Sequence, residues 1–311
     1  MSILVSGSVA IDHIMVFPDR FRDHILPEKL HMLNVSFNIS SLKVHFGGVA
    51  GNIAYMLKLL GDDSYILATA GSDFGPYAEW LDRHGISRAG IRIIEDLRTP
   101  QGFVTTDIDD NQIWAFYVGA MAHAHEARID DIDAEIRIAI VSSNGKKAMV
   151  EHARELKSRS ISTFVDPSHA LPILSREELI ELIDGCAAYI VNDYEWATTL
   201  EKTELSEDEI QSRCDAVIIT RGHEGSEIRT EGQKIEIPPV LTDQVVDPTG
   251  CGDAYRAGLL YGRVRDMPWE TAGRIGSLMG ALQVEVDGPQ NLTFERADFQ
   301  ARYEREFGSS F

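Results

Sequence analysis

From Ile138 to Thr220, short runs of aliphatic and β-branched residues alternate with longer amphipathic stretches, and this alternation most narrows the folds open to the chain. The runs 138–141, 162–165, 187–191 and 216–220 are short and almost wholly apolar, whereas 146–159, 176–184 and 207–214 carry apolar residues at helical spacing. Strands that are apolar on both faces need cover on both faces. The rhythm therefore predicts a parallel sheet with helices above and below it. The same reading gives a first strand over 3–9, a helix over 49–60 stopped by Gly61, a strand over 65–70 and a helix over 76–84. Two short strands, 226–229 and 234–237, precede a glycine-rich turn and two final core helices, 251–263 and 268–284.

Two pieces break the rhythm. Residues 13–45 are irregular with weak strands, and 98–119 hold two alternating segments, 102–108 and 112–118, bridged by Asp109-Asp110-Asn111, which is hairpin chemistry. They are expected to join as one small β-sheet projecting from the main sheet. This gives an α/β core of 1–12, 46–97 and 120–311, and a lid of 13–45 and 98–119. Ligands of open α/β folds lie beyond the carboxyl ends of the strands, which places Asp12, Asn192 and the loop after Thr220 around one crevice.

Composition narrows the partners. With 49 acidic and 29 basic residues the net charge is −20, a field that repels polyanions and argues against a nucleic-acid polymer. A small phosphorylated ligand stays open, because backbone N–H groups at a helix N-terminus bind phosphate without net positive charge. The 3 cysteines show no CxxC spacing, so neither a disulfide framework nor a zinc knuckle is indicated. The N-terminal residues lack a basic leader, and no run of about 18 apolar residues occurs, so a cytoplasmic protein without a membrane partner is expected.

The segment VVDPTGCGDAYRAG, residues 245–258, places Gly250, Cys251 and Gly252 at a helix N-terminus with Asp253 in its first turn. Glycines there let backbone N–H groups face a developing oxyanion, to which the helix dipole adds partial positive charge. Asp253 beside such an anion hole can accept the proton of an attacking hydroxyl. A plain helix N-terminus with a favourable Asp is the bland alternative, but it needs no pair of glycines. Gly47-Gly48-Val49-Ala50-Gly51-Asn52 is a second glycine-rich turn into a helix, with Asn52 suited to a vicinal diol. Asn192 and Glu195 suit either an amide and carboxylate near hydrated magnesium or a capping box. Thr220-Arg221-Gly222-His223-Glu224-Gly225 is either a loop beside nucleotide phosphates or a hairpin entry turn. His123, His125 and Glu126 are read as a solvated connection rather than a metal cluster, and P-loop, GxGxxG and GxSxG patterns are absent.

Taken in order, GSVAID, GGVAGN, NDYE, TRGHEG and DPTGCGDAYRAG resemble the segments of the ribokinase or PfkB family of sugar and nucleoside kinases over nearly the whole chain. Within that family, GSVAIDHIMVFPDRF, ILPEKLH, HFGGVAGN, FYVGAM and VNDYEW are similar to the bacterial adenosine kinases. The family's DTTGAGD signature stands here with Pro248 and Cys251 as variants, neither of which removes a functional group.

The resemblance implies a Rossmann-type three-layer α/β/α sandwich with a small β-sheet lid. It also implies phosphoryl transfer from Mg·ATP to the 5′-hydroxyl of adenosine, giving AMP in purine salvage. On it Asp253 is the base, and Gly250, Cys251 and Gly252 supply anion-hole N–H groups. Asp12, Gly48 and Asn52 hold the ribose hydroxyls, Ser8 and Ser36 lie near the nucleoside, and Phe116 or Phe103 stacks on the base. Asn192 and Glu195 organise magnesium and phosphate, Glu195 through water, while Thr220, Gly222 and Gly225 line the ATP site. Many relatives respond to a monovalent cation, which would place Asp247, Thr249 and Gly288 at a potassium site. The resemblance further implies a homodimer formed through the lid. The competing readings are a sugar kinase of the same family, with a more polar acceptor pocket, and a non-catalytic nucleoside-binding protein, which would not need Asp253.

Overall fold

The computed structural model describes residues 2–25, 27–32, 34–109 and 111–311, and for residues 28–30 the backbone alone. Its strands are β1 (Ser2–Ser6), β2 (Ala10–Val16), β3 (Ser41–Gly47), β4 (Ser64–Gly71), β5 (Ile91–Ile94), β6 (Gln101–Thr106), β7 (Gln112–Tyr117), β8 (Ile136–Val141), β9 (Ser162–Val165), β10 (Ala188–Asn192), β11 (Ala216–Thr220), β12 (Ser226–Thr230) and β13 (Gln233–Ile237). Nine of them form one sheet in the order β13-β12-β11-β10-β9-β8-β1-β4-β5, and the other four form a second sheet in the order β3-β2-β6-β7.

Side chains alternate between the faces of the large sheet, as a strand's period of two requires. Ile3, Val5, Ile138, Ile140, Ile190 and Ile218 join a core with the helices Val49–Leu59, Cys251–Arg263 and Trp269–Val284. Leu4, Ala139, Val141, Tyr189, Val191 and Val217 join the opposite core with the helices Lys146–Ser158 and Arg176–Ile183. The three-layer sandwich is thus set by strands apolar on both faces. One expectation needs correction: the sheet is mixed, because β12 and β13 pair antiparallel at its edge. Both are joined by short turns, and a tight hairpin can only return antiparallel.

The expected helix over 207–214 ends at Gln211, and its Ser206–Glu209 capping box is complete. Three further elements were not legible from periodicity alone: the edge strand β5 and the helices Asp193–Thr203 and Arg296–Phe307. The second sheet unites the two irregular segments. Its strands β2 and β6 run parallel, although β6 and β7 form the expected hairpin. Asp110, within the predicted bridge, lies outside the described residues. Among the described residues, no helix is long and apolar enough to cross a membrane.

Candidate active site

The helix Cys251–Arg263 begins on Gly250, whose φ of 80° lies in the left-handed region where a Cβ is strained. A Cβ on Gly250 would also lie 2.9 Å from Cβ of Pro289. The N–H of Cys251 turns inward to Pro248 O at 3.2 Å. Of the three predicted anion-hole donors, therefore, Cys251 is spent within the turn, and the N–H groups of Gly250 and Gly252 donate to no protein acceptor. Among the described residues they find no acceptor and remain, with the Asp253 N–H, as free donors at this end of the helix dipole.

Asp253 is buried, and Asn52 Nδ2 donates to its Oδ2 at 2.8 Å. Burial pushes the Asp253 carboxyl up to about 6, against the opposing pull of the Arg256 guanidinium and of the Asn52 hydrogen bond. Asn52 is fixed in turn: Gln290 Nε2 donates to its Oδ1 at 3.0 Å and also reaches the Tyr77 hydroxyl at 2.7 Å, while Trp80 Nε1 donates to Gln290 Oε1 at 3.0 Å. One N–H of the Asn52 amide, read from sequence as a diol ligand, is thus turned to the carboxylate, which leaves its second N–H. Gln290 and Tyr77 were missed because nothing local to them signals a site.

The entry to the helix Val49–Leu59 is as close as its glycines suggest. Gly48 has a φ of 83°, and a Cβ there would lie 2.6 Å from Ser8 O. Ser8 Oγ accepts the Val49 N–H at 3.2 Å, so Ser8 braces this turn.

Asp12 lies in a slot between two glycines: a Cβ on Gly47 or on Gly102 would fall 2.5 Å or 2.6 Å from its carboxylate oxygens. Burial pushes this carboxyl up to about 6 as well.

The register of the second sheet sorts its aromatic residues. Asp12 pairs with Gly102 and Gly102 with Phe116, and Val104 pairs with Trp114, so Asp12, Phe116 and Trp114 share one face. His13 pairs with Phe103 on the opposite face, where their rings stack with centroids 4.6 Å apart. Phe103 is therefore turned away from Asp12, a one-residue difference that places it on the other side of the pleat. Ser36 is exposed in the irregular stretch 34–39 and makes no hydrogen bond to the other candidate residues. Phe37 packs on Phe17 and Phe21, at 4.8 Å and 5.0 Å, rather than standing free for a ligand.

A cavity of about 520 Å³ brings Thr220, Gly222 and Gly225 together with Cys251 and Gly252. It is apolar along Val240, Ala281 and Val284, a lining that suits a planar base. A larger cavity of about 840 Å³, lined by Arg137, Ser162, Asp215 and Trp269, lies at the opposite, amino-terminal ends of the strands, away from this chemistry. Asn192 and Glu195 form a complete capping box: Glu195 N donates to Asn192 Oδ1 at 2.7 Å, and Asn192 N to Glu195 Oε2 at 2.8 Å. The plain structural alternative is thus realised there, with Glu195 Oε1 outside the cap.

The potassium set is tied up within the chain. Asp247 accepts from Thr249 N at 2.9 Å and from Gly288 N at 3.0 Å, and Gln283 Nε2 donates to the carbonyls of both Thr249 and Gly288 at 3.0 Å. An amide pointed at both carbonyls does not fit a cation seated between them. His123 Nδ1 is 2.8 Å from Glu126 Oε1, and among the described residues no three His, Cys, Asp or Glu side chains cluster as they would to hold a metal ion.

Free N–H groups at a helix N-terminus and a buried carboxylate beside them are parts a phosphotransferase uses. The sequence pattern of the pfkB family carbohydrate kinases matches residues 6–296, and the chain belongs to that family. It is 33% identical over 286 residues to the nucleoside kinase of Methanocaldococcus jannaschii, covering 91% of this chain and 90% of that protein. The solved structure of Burkholderia thailandensis nucleoside kinase in complex with inosine superimposes with a TM-score of 0.91 at 41% identity, over 99% of this chain and all of the other. The ADP-inosine complex of the same protein gives 0.87 at 44% identity, over 99% of this chain and 97% of that one.

Proposed function

We propose that this chain is an ATP-dependent nucleoside kinase that transfers the γ-phosphoryl group to the 5′-hydroxyl of purine nucleosides, adenosine among them. The observation that carries the reading is the buried Asp253 carboxylate, held by Asn52 beside the free N–H groups of Gly250 and Gly252. A hydroxyl delivered there loses its proton to Asp253 as its oxygen bonds to the γ-phosphorus, the bond to the bridging oxygen breaks and ADP departs, and the N–H groups meet the charge on the transferring oxygens.

The nucleoside lies on the Asp12 face of the second sheet, its ribose hydroxyls near Asp12 and Gly48 and its base against Phe116 and Trp114. ATP occupies the cavity of Thr220, Gly222 and Gly225. When bound, magnesium supplies charge neutralisation at the donor phosphates, and Glu195 would hold it through water. The second sheet acts as a lid that excludes water from the transfer. Its outer face exposes Leu42, Val44, Ile113 and Tyr117, and a homodimer through that face is the matching assembly.

Two relatives are named nucleoside kinase, one of them solved in complex with inosine, which favours an acceptor range wider than adenosine. The aromatic platform beyond Asp12 favours a nucleoside over a free sugar, which would need polar partners there. The test is ADP formation and product identification with Mg·ATP and, separately, adenosine, inosine, guanosine, ribose and fructose. Nucleoside 5′-monophosphate from adenosine and inosine is expected. Turnover with the free sugars alone overturns the acceptor, and no acceptor-dependent turnover overturns the kinase reading for these substrates.

A further inference from the structure

Arg256 is a cation buried against Asp253, and neither the glycine signature nor the proposed chemistry accounts for it. It lies one helical turn beyond Asp253, with Nη1 3.7 Å from Asp253 Oδ1. Its other edge is anchored on Asp166, which is fully buried just after β9: Nη2 donates to Oδ1 at 2.9 Å, and Nε lies 2.5 Å from Oδ2 without hydrogen-bond alignment. Ser142, just after β8, donates Oγ–H to the same Oδ2 at 2.5 Å. The carboxyl ends of two neighbouring strands thus clamp the guanidinium from one side while the catalytic carboxylate faces it from the other.

Gly252 has a second purpose here. A Cβ at that position would fall 2.5 Å from Arg256 Nη1, so its absence leaves the guanidinium room to lie along the first turn of the helix.

We propose that Arg256 is a positioning residue for phosphoryl transfer: anchored on Asp166, it aims the Asp253 carboxylate and supplies the counter-charge that keeps it in its proton-accepting form. This inference rests on Asp253 being the base. Among the described residues, the other groups that act on Asp253 are Asn52 from the helix Val49–Leu59, Asp166 after β9, and His169. Glu195 faces the Arg256–Asp166 pair from the start of the next helix. A carboxylate among carboxylates and out of water favours its protonated form, and the adjacent guanidinium opposes both effects.

The test is a carboxyl 13C NMR titration of the full chain, with the Asp253 signal assigned by its loss in Asp253→Asn, in the parent, Arg256→Gln and Arg256→Lys. The Asp253 midpoint is expected to rise by about 1 unit or more in Arg256→Gln and to return toward the parent in Arg256→Lys. The acid limb of the pH–rate profile with adenosine and inosine should move with it, while the ATP KM does not. An unmoved Asp253 midpoint in a cooperatively melting Arg256→Gln overturns the proposal. If that variant does not fold, Asp166→Asn/Arg256→Gln carries the measurement. The midpoint should again rise, because the guanidinium outweighs Asp166 in its effect on Asp253, and an unmoved midpoint again overturns the proposal. Near-parent turnover in Asp253→Asn would instead remove the base assignment, a failure distinct from an unmoved midpoint.

Discussion

Asn52 and Asp253 stand 201 positions apart in the chain, and the amide of the first donates to the carboxylate of the second across 2.8 Å. That bond joins the two glycine-rich turns of the sequence into one device. It also gives the buried carboxylate a fixed direction, which an attacking hydroxyl needs if proton transfer and in-line displacement are to coincide.

Removing the donor should therefore be felt in both stability and titration. Asn52→Ala is expected to cost about 1–3 kcal/mol, the penalty for leaving a buried acceptor unmet. It should also move the acid limb of kcat/KM to higher pH, because the lost hydrogen bond favoured the charged form. Denaturant unfolding and a pH–rate profile check the two halves, and an unchanged limb removes Asn52 from the base's control.

Asp253 itself sets function against stability. Turnover in Asp253→Asn should fall at least about 10²-fold. The folded carboxyl sits at about 6 against an ordinary 3.8, so the folded state holds this proton more tightly than the unfolded chain. Its contribution is complete below about pH 3.8 and is lost as pH rises through about 6. At pH 7.5 the parent thus bears the cost of a buried charge, and the Asn variant should be more stable by about 2–3 kcal/mol. That gain should vanish near pH 4, which thermal melts at both pH values will show.

The two faces of the second sheet should separate kinetically. Phe116→Ala is expected to raise the KM for adenosine severalfold with the ATP KM unchanged, since Phe116 shares a face with Asp12. Phe103→Ala should leave the adenosine KM close to the parent's while loosening the stack on His13. The reverse ranking would mean that the nucleoside lies on the His13 face.

Potassium should be dispensable. Replacing it with tetramethylammonium at constant ionic strength is expected to leave turnover unchanged, because the Gln283 amide already bridges the Thr249 and Gly288 carbonyls. A strong potassium dependence in this exchange would show that the amide yields its place to the cation.

The sequence by itself determined whatever is encoded in short windows of chain. The short, almost wholly apolar runs at 138–141 and 216–220 encode buried strands, and Gly250 and Gly252 before Asp253 encode a glycine-rich turn into a helix. Their order along the chain gave the family. Asn192 and Glu195 stayed ambiguous in sequence because a capping box and a ligand pair use the same residue types at the same spacing, and only the distances between their atoms separated the two. Tertiary structure decided the rest. Phe103 and Phe116 both lie in alternating segments, and only the register of β2, β6 and β7 shows which one shares a face with Asp12. Gln290, Tyr77 and Gln283 carry no local signal, since each acts on a residue brought to it by the packing of distant elements, and the Asp166 anchor of Arg256 is likewise supplied by a distant strand. A local window records periodicity and turn chemistry, whereas pairings between distant segments depend on register and on the closing of the core.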